Sequence, residues 1–170
     1  TLKNINLSVD YEEKDISIWS DQSMLEKIIF NLLSNAFKAT PSGGEISIII
    51  NQPINFISLP LVNKNEPVQA IEIIIKDNGM GIKDENIDKV FDRFFQSNEM
   101  IKKNQGGTGI GLELVKSFID LNKGKIVLKS KEKLGSEFKI YLPTGSAHLA
   151  KQDVKTKNKL NPNPQNHLEV

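Results

Sequence analysis

Residues 21–40 read DQSMLEKIIFNLLSNAFKAT and predict the helix around which the fold is built. Asp21 is a suitable N-cap, and Pro41 followed by Gly43 and Gly44 predicts the end of the helix. Apolar side chains recur at the i, i+3, i+4 and i+7 spacing of a helix that packs one face on a core. They are Leu25, Ile28, Ile29, Leu32 and Ala36.

Short β-branched runs on both sides of this helix predict the strands of a sheet. The predicted strands are 5–9, 16–18, 45–51, 71–75, 125–130 and 136–142, and two further helices are predicted over 84–95 and from 111 to near Gly124. The strands occur in adjacent pairs with helices between the pairs. We therefore expect an α/β fold, an α+β two-layer sandwich with a mixed sheet of about five strands and three helices on one face.

Composition excludes several classes of function. The 170 residues include 22 Lys and Arg, 21 Asp and Glu, two His and no Cys. The lack of cysteine excludes a disulfide framework and a thiolate zinc site. A formal net charge of +1 gives no electrostatic reason to expect nucleic acid or a membrane surface as a partner.

Domain boundaries are also suggested by composition. Residues 1–143 carry the periodic segments and predict one domain, whereas 144–170 are rich in Lys, Asn, Gln and Pro and predict a flexible linker. Because the chain starts at Thr1 rather than Met, we expect it to be a fragment of a longer protein.

Three polar residues share one face of the first predicted helix. Asn31, Asn35 and Lys38 lie at i, i+4 and i+7, away from much of the apolar stripe. Two amide oxygens and an ammonium group can hold a divalent cation and a phosphate together. A solvated helix face explains the same pattern, so these residues alone do not decide between the two.

Two glycine-rich segments follow. Asp77-Asn78-Gly79-Met80-Gly81 ends a strand, where a carboxylate can accept a hydrogen bond from a ligand amine, although the same residues also suit a tight turn. Residues 106–111 read GGTGIG before a helix, which suits phosphate binding or a flexible hinge. The spacing matches neither the dinucleotide fingerprint nor the P-loop.

An aromatic cluster lies between these two segments. Phe91, Phe94 and Phe95 flank Arg93. Core packing explains at least two of the phenylalanines, and Arg93 is a candidate contact for a phosphate or a partner.

The order of the four motifs is more specific than any one of them. They are Asn31-x-x-x-Asn35-Ala36-x-Lys38, Asp77-x-Gly79-x-Gly81, Phe91-x-x-Phe94 and Gly107-x-Gly109-x-Gly111-Leu112. This order closely resembles the N, G1, F and G2 boxes of the catalytic domain of sensor histidine kinases, a family of the GHKL, or Bergerat-fold, ATP-binding superfamily. The resemblance covers Thr1 to about Pro143.

The resemblance implies an ATP site. Asn35, assisted by Asn31, would ligate Mg²⁺, Lys38 would contact phosphate, and Asp77 would accept from the adenine amine and so select ATP over GTP. Residues 96–106 would form a lid over the nucleotide. Catalytic roles would fall to Asn31, Lys38 and Arg93, and the remaining implied ATP contacts are Gly79, Gly81, Ile82, Phe91, Gly107, Thr108, Gly109, Ile110, Gly111 and Leu112.

Two positions depart from the family pattern. Many members carry an aromatic residue where this chain has Ala39, so stacking against the nucleotide is expected to be weaker or supplied elsewhere. Phe95 stands where tyrosine is common.

The resemblance also separates kinase from hydrolase. Hydrolysing relatives place Glu four residues before the magnesium-binding Asn, but this chain has Asn31 there, which cannot act as a general base. We therefore expect transfer to a histidine rather than to water. His148 and His167 lack the His-Glu-x-x-Thr-Pro setting of a phosphoacceptor, so the acceptor is expected on a dimerisation domain upstream of Thr1.

The implied parent protein is a homodimeric two-component sensor. A response-regulator receiver domain is expected downstream, and the domain itself is expected in the cytoplasm, without membrane contact, in a parent plausibly anchored in the inner membrane. Two alternatives stay open at this point: a non-catalytic nucleotide-binding or docking module, and a hydrolysing ATPase of the same fold.

Overall fold

The computed structural model describes residues 3–11, 18–51, 57–59, 68–96 and 108–144. Its strands are β1 (Asn6–Tyr11), β2 (Glu45–Asn51), β3 (Ala70–Asp77), β4 (Lys125–Lys131) and β5 (Gly135–Pro143). Its helices are α1 (Gln22–Ala39), α2 (Asp84–Ile87) and α3 (Gly111–Leu121).

The five strands form one mixed sheet in the order β1-β2-β3-β5-β4. β1 pairs parallel to β2, and the other three neighbouring pairs are antiparallel. The hydrophobic strands β3 and β5 are therefore interior, with β1 and β4 at the two edges. This arrangement confirms the predicted mixed sheet.

Helices α1 and α3 pack on the same face of β3 and β5. Side chains alternate along a strand, so one face of β3 is formed by alternate isoleucines that lie in the core with the helices. The core contains Ile28, Leu32 and Ala36 of α1, Val115 and Ile119 of α3, Ile46 of β2, Ile71, Ile73 and Ile75 of β3, and Phe138, Ile140 and Leu142 of β5. The two-layer sandwich is thus confirmed.

The bounds of α1 agree with the capping signals. Asp21 accepts hydrogen bonds from the backbone N–H groups of Ser23 at 2.8 Å and Met24 at 3.1 Å, which satisfies two otherwise unpaired donors of the first turn. At the other end, the N–H and hydroxyl of Thr40 both donate to the carbonyl of Ala36. Pro41 follows directly.

The helix predicted over 84–95 is wrong beyond its first turn. Helix α2 ends at Ile87, and turns and a bend continue to Phe94. A tertiary contact prevents helix at the end of this segment: Phe94 has a φ of 65°, and its N–H donates to the carbonyl of Gly109 at 2.8 Å rather than to a carbonyl one helical turn earlier.

Some predicted segments differ or fall outside the description. Ile18 lies in no strand, and the rest of the strand predicted over 16–18 is outside the described residues. β5 ends at Pro143, but 145–170 are also outside them, so the linker over 144–170 stays a prediction. Among the described helices, none has both the length and the apolarity needed to cross a bilayer.

Truncating a core side chain of α1 should weaken the fold far more than truncating an exposed neighbour. Leu32 is 0% exposed and Phe30 is 72% exposed. We expect Leu32→Ala to lower the free energy of unfolding by about 2–5 kcal/mol because it leaves a cavity. Phe30→Ala, the control, should change it by no more than about 0.5 kcal/mol. Denaturant unfolding followed by circular dichroism measures both, and equal losses would contradict this packing.

Candidate functional site

A cavity of about 370 Å³ opens between the two long helices at the end of β3 where Asp77 lies. Residues of α1, of the segment after β3, of the start of α3 and of β5 line it. The sequence motifs that are far apart in the chain thus meet at one place. The members predicted from sequence that line it are Asn31, Asn35, Lys38, Asp77, Gly81, Ile82, Thr108, Gly109, Ile110, Gly111 and Leu112.

The polar face of α1 forms one wall of this cavity rather than a solvated surface. Asn31 donates from its side-chain nitrogen to the carbonyl of Lys27 at 2.8 Å, which leaves its amide oxygen as an acceptor. The side chains of Asn35 and Lys38 have no hydrogen-bond or ion-pair partner within the part of the chain that the structure describes. Two amide groups and one cation are therefore available to a ligand.

Asp77 forms the closed end of the cavity. It is the last residue of β3, falls on the helix-facing side in line with Ile73 and Ile75, and is only 4% exposed. Its carboxylate accepts from the backbone N–H of Gly79 at 2.8 Å and from that of Ser136. Burial raises the pKa of Asp77, and these two hydrogen bonds oppose the shift without cancelling it.

The backbone after Asp77 turns tightly against α1. The N–H of Met80 donates to the carbonyl of Ala39 at 3.1 Å, and a Cβ on Gly79 would lie 2.6 Å from that same oxygen. Gly79 is therefore needed for contact with α1 and is not among the residues that line the cavity. Ala39, by contrast, does line the cavity, at the position where the resemblance leads us to expect an aromatic residue.

Gly81 permits a second close approach, to the β4–β5 hairpin. Its φ is 63°, and a Cβ there would overlap the backbone oxygen of Lys131. The neighbouring Ile82 donates its N–H to the hydroxyl of Ser130 at 2.9 Å. The segment is thus held between α1 on one side and the hairpin on the other.

The start of α3 faces the cavity with backbone N–H groups that have no acceptor among the described residues. Ile110 occupies the N-cap position and makes no side-chain cap, and the first intrahelical bond runs from Leu114 to Ile110. The first N–H groups of such a helix have no intrahelical acceptor and favour an anion. A Cβ on Gly111 would lie 2.8 Å from the amide oxygen of Asn31, so glycine allows the two helices to approach here.

Several predicted site residues lie elsewhere. Phe91 packs against the core, and Arg93 is exposed with its guanidinium carbon 5.1 Å from the centre of the Phe94 ring. Neither lines the cavity. Gly107 and most of the predicted lid over 96–106 are outside the described residues, although Gln96 does line the cavity.

Ala36, Ala39, Phe95 and Gln96, which the sequence analysis names beside its motifs or in the lid, also line the cavity. Sequence reasoning missed other lining residues, which are Ser34, Lys83, Asn86, Val90, Leu114, Ser136 and Phe138. Helical spacing from Asn31 and Gly111 could have found Ser34 and Leu114. Ser136 carries no motif, and only the register that pairs it with Asp77 across β3 and β5 brings it to the site.

The donor set suits a divalent cation that arrives with an anion. Among the described residues, no three His, Cys, Asp or Glu side chains converge as a metal cluster. Asn31 and Asn35 offer neutral amide oxygens, which are ligands for Mg²⁺ but supply no charge. The residues therefore fit a cation whose negative ligands come from phosphates bound at the start of α3.

The family comparison matches most of the chain. Residues 20–146 match the family described as histidine kinase-, DNA gyrase B-, and HSP90-like ATPase. A histidine kinase of Formosa agariphila is 36% identical over 157 residues, which are 89% of this chain and 10% of that protein. Hybrid signal transduction histidine kinase D of Dictyostelium discoideum is 31% identical, over 92% of this chain and 10% of that protein. The chain thus spans about a tenth of these two curated relatives.

Solved structures share the fold. The catalytic domain of histidine kinase ThkA has a TM-score of 0.65 and 24% identity, with 83% of this chain and 81% of that chain covered. The mycobacterial sensor histidine kinase MprB has a TM-score of 0.64 and 26% identity, with 82% of each chain covered. Together with the site geometry, these matches establish that the chain belongs to the histidine kinase-, DNA gyrase B- and HSP90-like ATPase family, as an ATP-binding catalytic domain of the histidine kinase type.

Proposed function

We propose that this domain binds Mg-ATP and transfers the γ-phosphoryl group to a histidine on a dimerisation domain outside this chain. The observation that carries the proposal is the convergence of a buried carboxylate, two amide oxygens, a cation and a helix N-terminus on one cavity. The carboxylate suits the adenine base of a nucleotide, and the other groups suit its phosphates.

The base would occupy the end formed by Asp77. Its carboxylate would accept from the exocyclic amine of adenine, whereas guanine presents an oxo group there and would be repelled. Because Asp77 is 4% exposed, little water screens this discrimination. Gly81 and Ile82 border the same end.

The phosphates would lie between α1 and the start of α3. The N–H groups of Gly111 and Leu112, in the first turn of α3, would bind phosphate oxygens, and Lys38 would add a positive charge. The amide oxygens of Asn35 and Asn31 would hold Mg²⁺, which, when bound, neutralises charge on the phosphates.

The site favours transfer to a histidine over hydrolysis. Asn31 cannot activate water, and the only carboxylate among the described lining residues is Asp77, at the base end. A neutral imidazole nitrogen needs no strong base. In the transfer, the unprotonated imidazole nitrogen forms a bond to the γ-phosphorus, and ADP leaves with the electron pair of the broken phosphorus–oxygen bond. The other ring nitrogen releases its proton to solvent. Catalysis then depends on positioning and on charge neutralisation.

The partners follow from the same proposal. The histidine would lie on a dimerisation domain of the same homodimeric protein, and a receiver domain would accept the phosphoryl group afterwards. The Dictyostelium relative is named a hybrid signal transduction histidine kinase, which supports a fused receiver. Placement of this domain in the cytoplasm, in a parent anchored in the inner membrane, stays a prediction.

Removing the amide of Asn35 should abolish the magnesium dependence of ATP binding. For Asn35→Ala we expect about a tenfold or greater loss of affinity with Mg²⁺ and little change without it, because the lost group contacts the cation. Calorimetric titration with and without Mg²⁺ measures this. Asn51→Ala is the control, since that amide bonds Glu72 outside the cavity. Affinity that is independent of Mg²⁺ and survives Asn35→Ala would favour a non-catalytic module.

The chain should phosphorylate a separate acceptor and not itself. When it is mixed with labelled Mg-ATP and the phosphoacceptor helical hairpin of its parent protein, label should appear on the hairpin histidine. Mass spectrometry should find none on His148 or His167. Label on either of these residues would contradict the proposal, and rapid steady-state release of phosphate would favour a hydrolysing ATPase.

The pH dependence of ATP binding should report on Asp77. Burial raises the pKa of this carboxyl, so it gains a proton at a higher pH than an ordinary aspartate as pH falls. The affinity for ATP should therefore decline in the wild type as pH falls through the pKa of Asp77, and much less in Asp77→Asn. The ratio of the two affinities at each pH removes the contribution of the titration of ATP itself. The free energy of unfolding should change with pH in the opposite direction to the affinity. Because the pKa of Asp77 is higher in the folded state than in the unfolded state, the stability that this group contributes is lost as pH rises through the folded pKa. Parallel profiles for both proteins would exclude Asp77 as the group responsible.

A further inference from the structure

Ser130 of β4 connects two parts of the site without lining it. Its hydroxyl accepts from the N–H of Ile82 at 2.9 Å, donates to the carbonyl of Gly135 at 2.9 Å and lies 3.0 Å from the hydroxyl of Ser136. Ile82 and Ser136 both line the cavity, whereas Ser130 does not. One half-buried hydroxyl outside the cavity therefore contacts two residues that line it.

The position of Ser136 makes this connection relevant to the base. Ser136 pairs with Asp77 in the register of β3 and β5, is 7% exposed, and donates its backbone N–H to the Asp77 carboxylate. Its hydroxyl thus lies at the end of the cavity where the proposed function places adenine. Any shift of Ser136 also shifts a donor to Asp77.

A proton count shows how Ser130 acts on Ser136. A serine hydroxyl has one proton and two lone pairs. The Gly135 carbonyl can only accept, so the bond to it uses the single proton of Ser130. Ser136 must then donate its own proton to Ser130 and keeps only lone pairs for a ligand. Ser130 thus holds Ser136 as an acceptor toward the cavity.

We propose that Ser130 is a positioning residue for base recognition: its hydroxyl sets the hydrogen-bonding direction of Ser136 beside Asp77 and fixes the backbone at Ile82. This inference rests on the proposed function, because it assigns a role in selecting the base of a bound nucleotide. It predicts that Ser130 affects discrimination between bases and not only the strength of binding.

A purely structural role would have a different signature. The bond from Ser130 to Gly135 also supports the β4–β5 hairpin, so its loss could loosen the site as a whole. Such loosening would weaken ATP and GTP binding by the same factor. The ratio of the two dissociation constants therefore separates positioning from general support.

The test compares Ser130→Ala, Ser130→Thr and the control Ser117→Ala by calorimetric titration of the whole chain with Mg-ATP and Mg-GTP. Within the described residues, the side chain of Ser117 bonds only Glu113 on α3, and Ser117 does not line the cavity. For Ser130→Ala we expect about a tenfold weaker binding of ATP and a fall of similar size in the preference for ATP over GTP, because a half-buried N–H loses its acceptor. Ser130→Thr, which keeps the hydroxyl, should restore both, and Ser117→Ala should change neither.

The outcomes separate this inference from the proposed function. If the wild type prefers ATP and Ser130→Ala keeps the same preference for ATP over GTP as the wild type, the role of Ser130 is overturned and the proposed function is left intact. A wild type that binds neither nucleotide, or both equally, would overturn both. If Ser130→Ala fails to fold by circular dichroism, Ser130→Cys, whose thiol bonds more weakly, should show an intermediate loss of preference, and an unchanged preference would overturn the inference.

Discussion

The buried carboxylate of Asp77 is the constraint on which the rest of the site depends. A desolvated carboxylate is costly unless hydrogen bonds compensate it, and here the N–H groups of Gly79 and Ser136 do so. Supplying both donors requires the chain to turn back immediately after β3 and requires β5 to pair with β3 in one register. The turn and the sheet pairing are therefore linked through this single group, which leaves its remaining acceptor capacity for a ligand.

The two long helices complete the site because each serves the core and the cavity at once. Helix α1 buries Ile28, Leu32 and Ala36 against the sheet and presents its amides along the adjacent face. Helix α3 packs Val115 and Ile119 into the same core, which holds its uncapped N-terminus opposite Asn31. The hydrophobic packing that stabilises the sandwich thereby sets the distance between the proposed base and phosphate ends of the cavity.

The helix predicted over 84–95 was wrong after Ile87, and this segment shows that local sequence predicts structure poorly where a distant segment makes contact. Residues 84–95 have helical composition, but the bond from Phe94 to Gly109 joins two segments separated by the whole predicted lid. Gly109 has a φ of 70°, and a Cβ there would lie 2.6 Å from the Phe94 backbone. A long-range contact of this kind overrides helix propensity, which is worth only about 0.7 kcal/mol per residue for ordinary residues. Arg93, the neighbour of Phe94, is exposed and does not line the cavity.

The sequence by itself determined the five strands of the sheet, the two long helices, the ends of α1 and the main motifs, because these follow from apolar periodicity, capping residues and glycine spacing that act within a few residues. Asn31, Asn35 and Asp77 were identifiable in this way, although their role stays a proposal. Only the tertiary structure decided that Gly79 serves contact with α1 and that Arg93 lies outside the cavity. It also decided that Ser136 pairs with Asp77 and that Ser130 bonds Ser136 from the next strand. These relations depend on strand register and on contacts between distant segments, which no local pattern encodes.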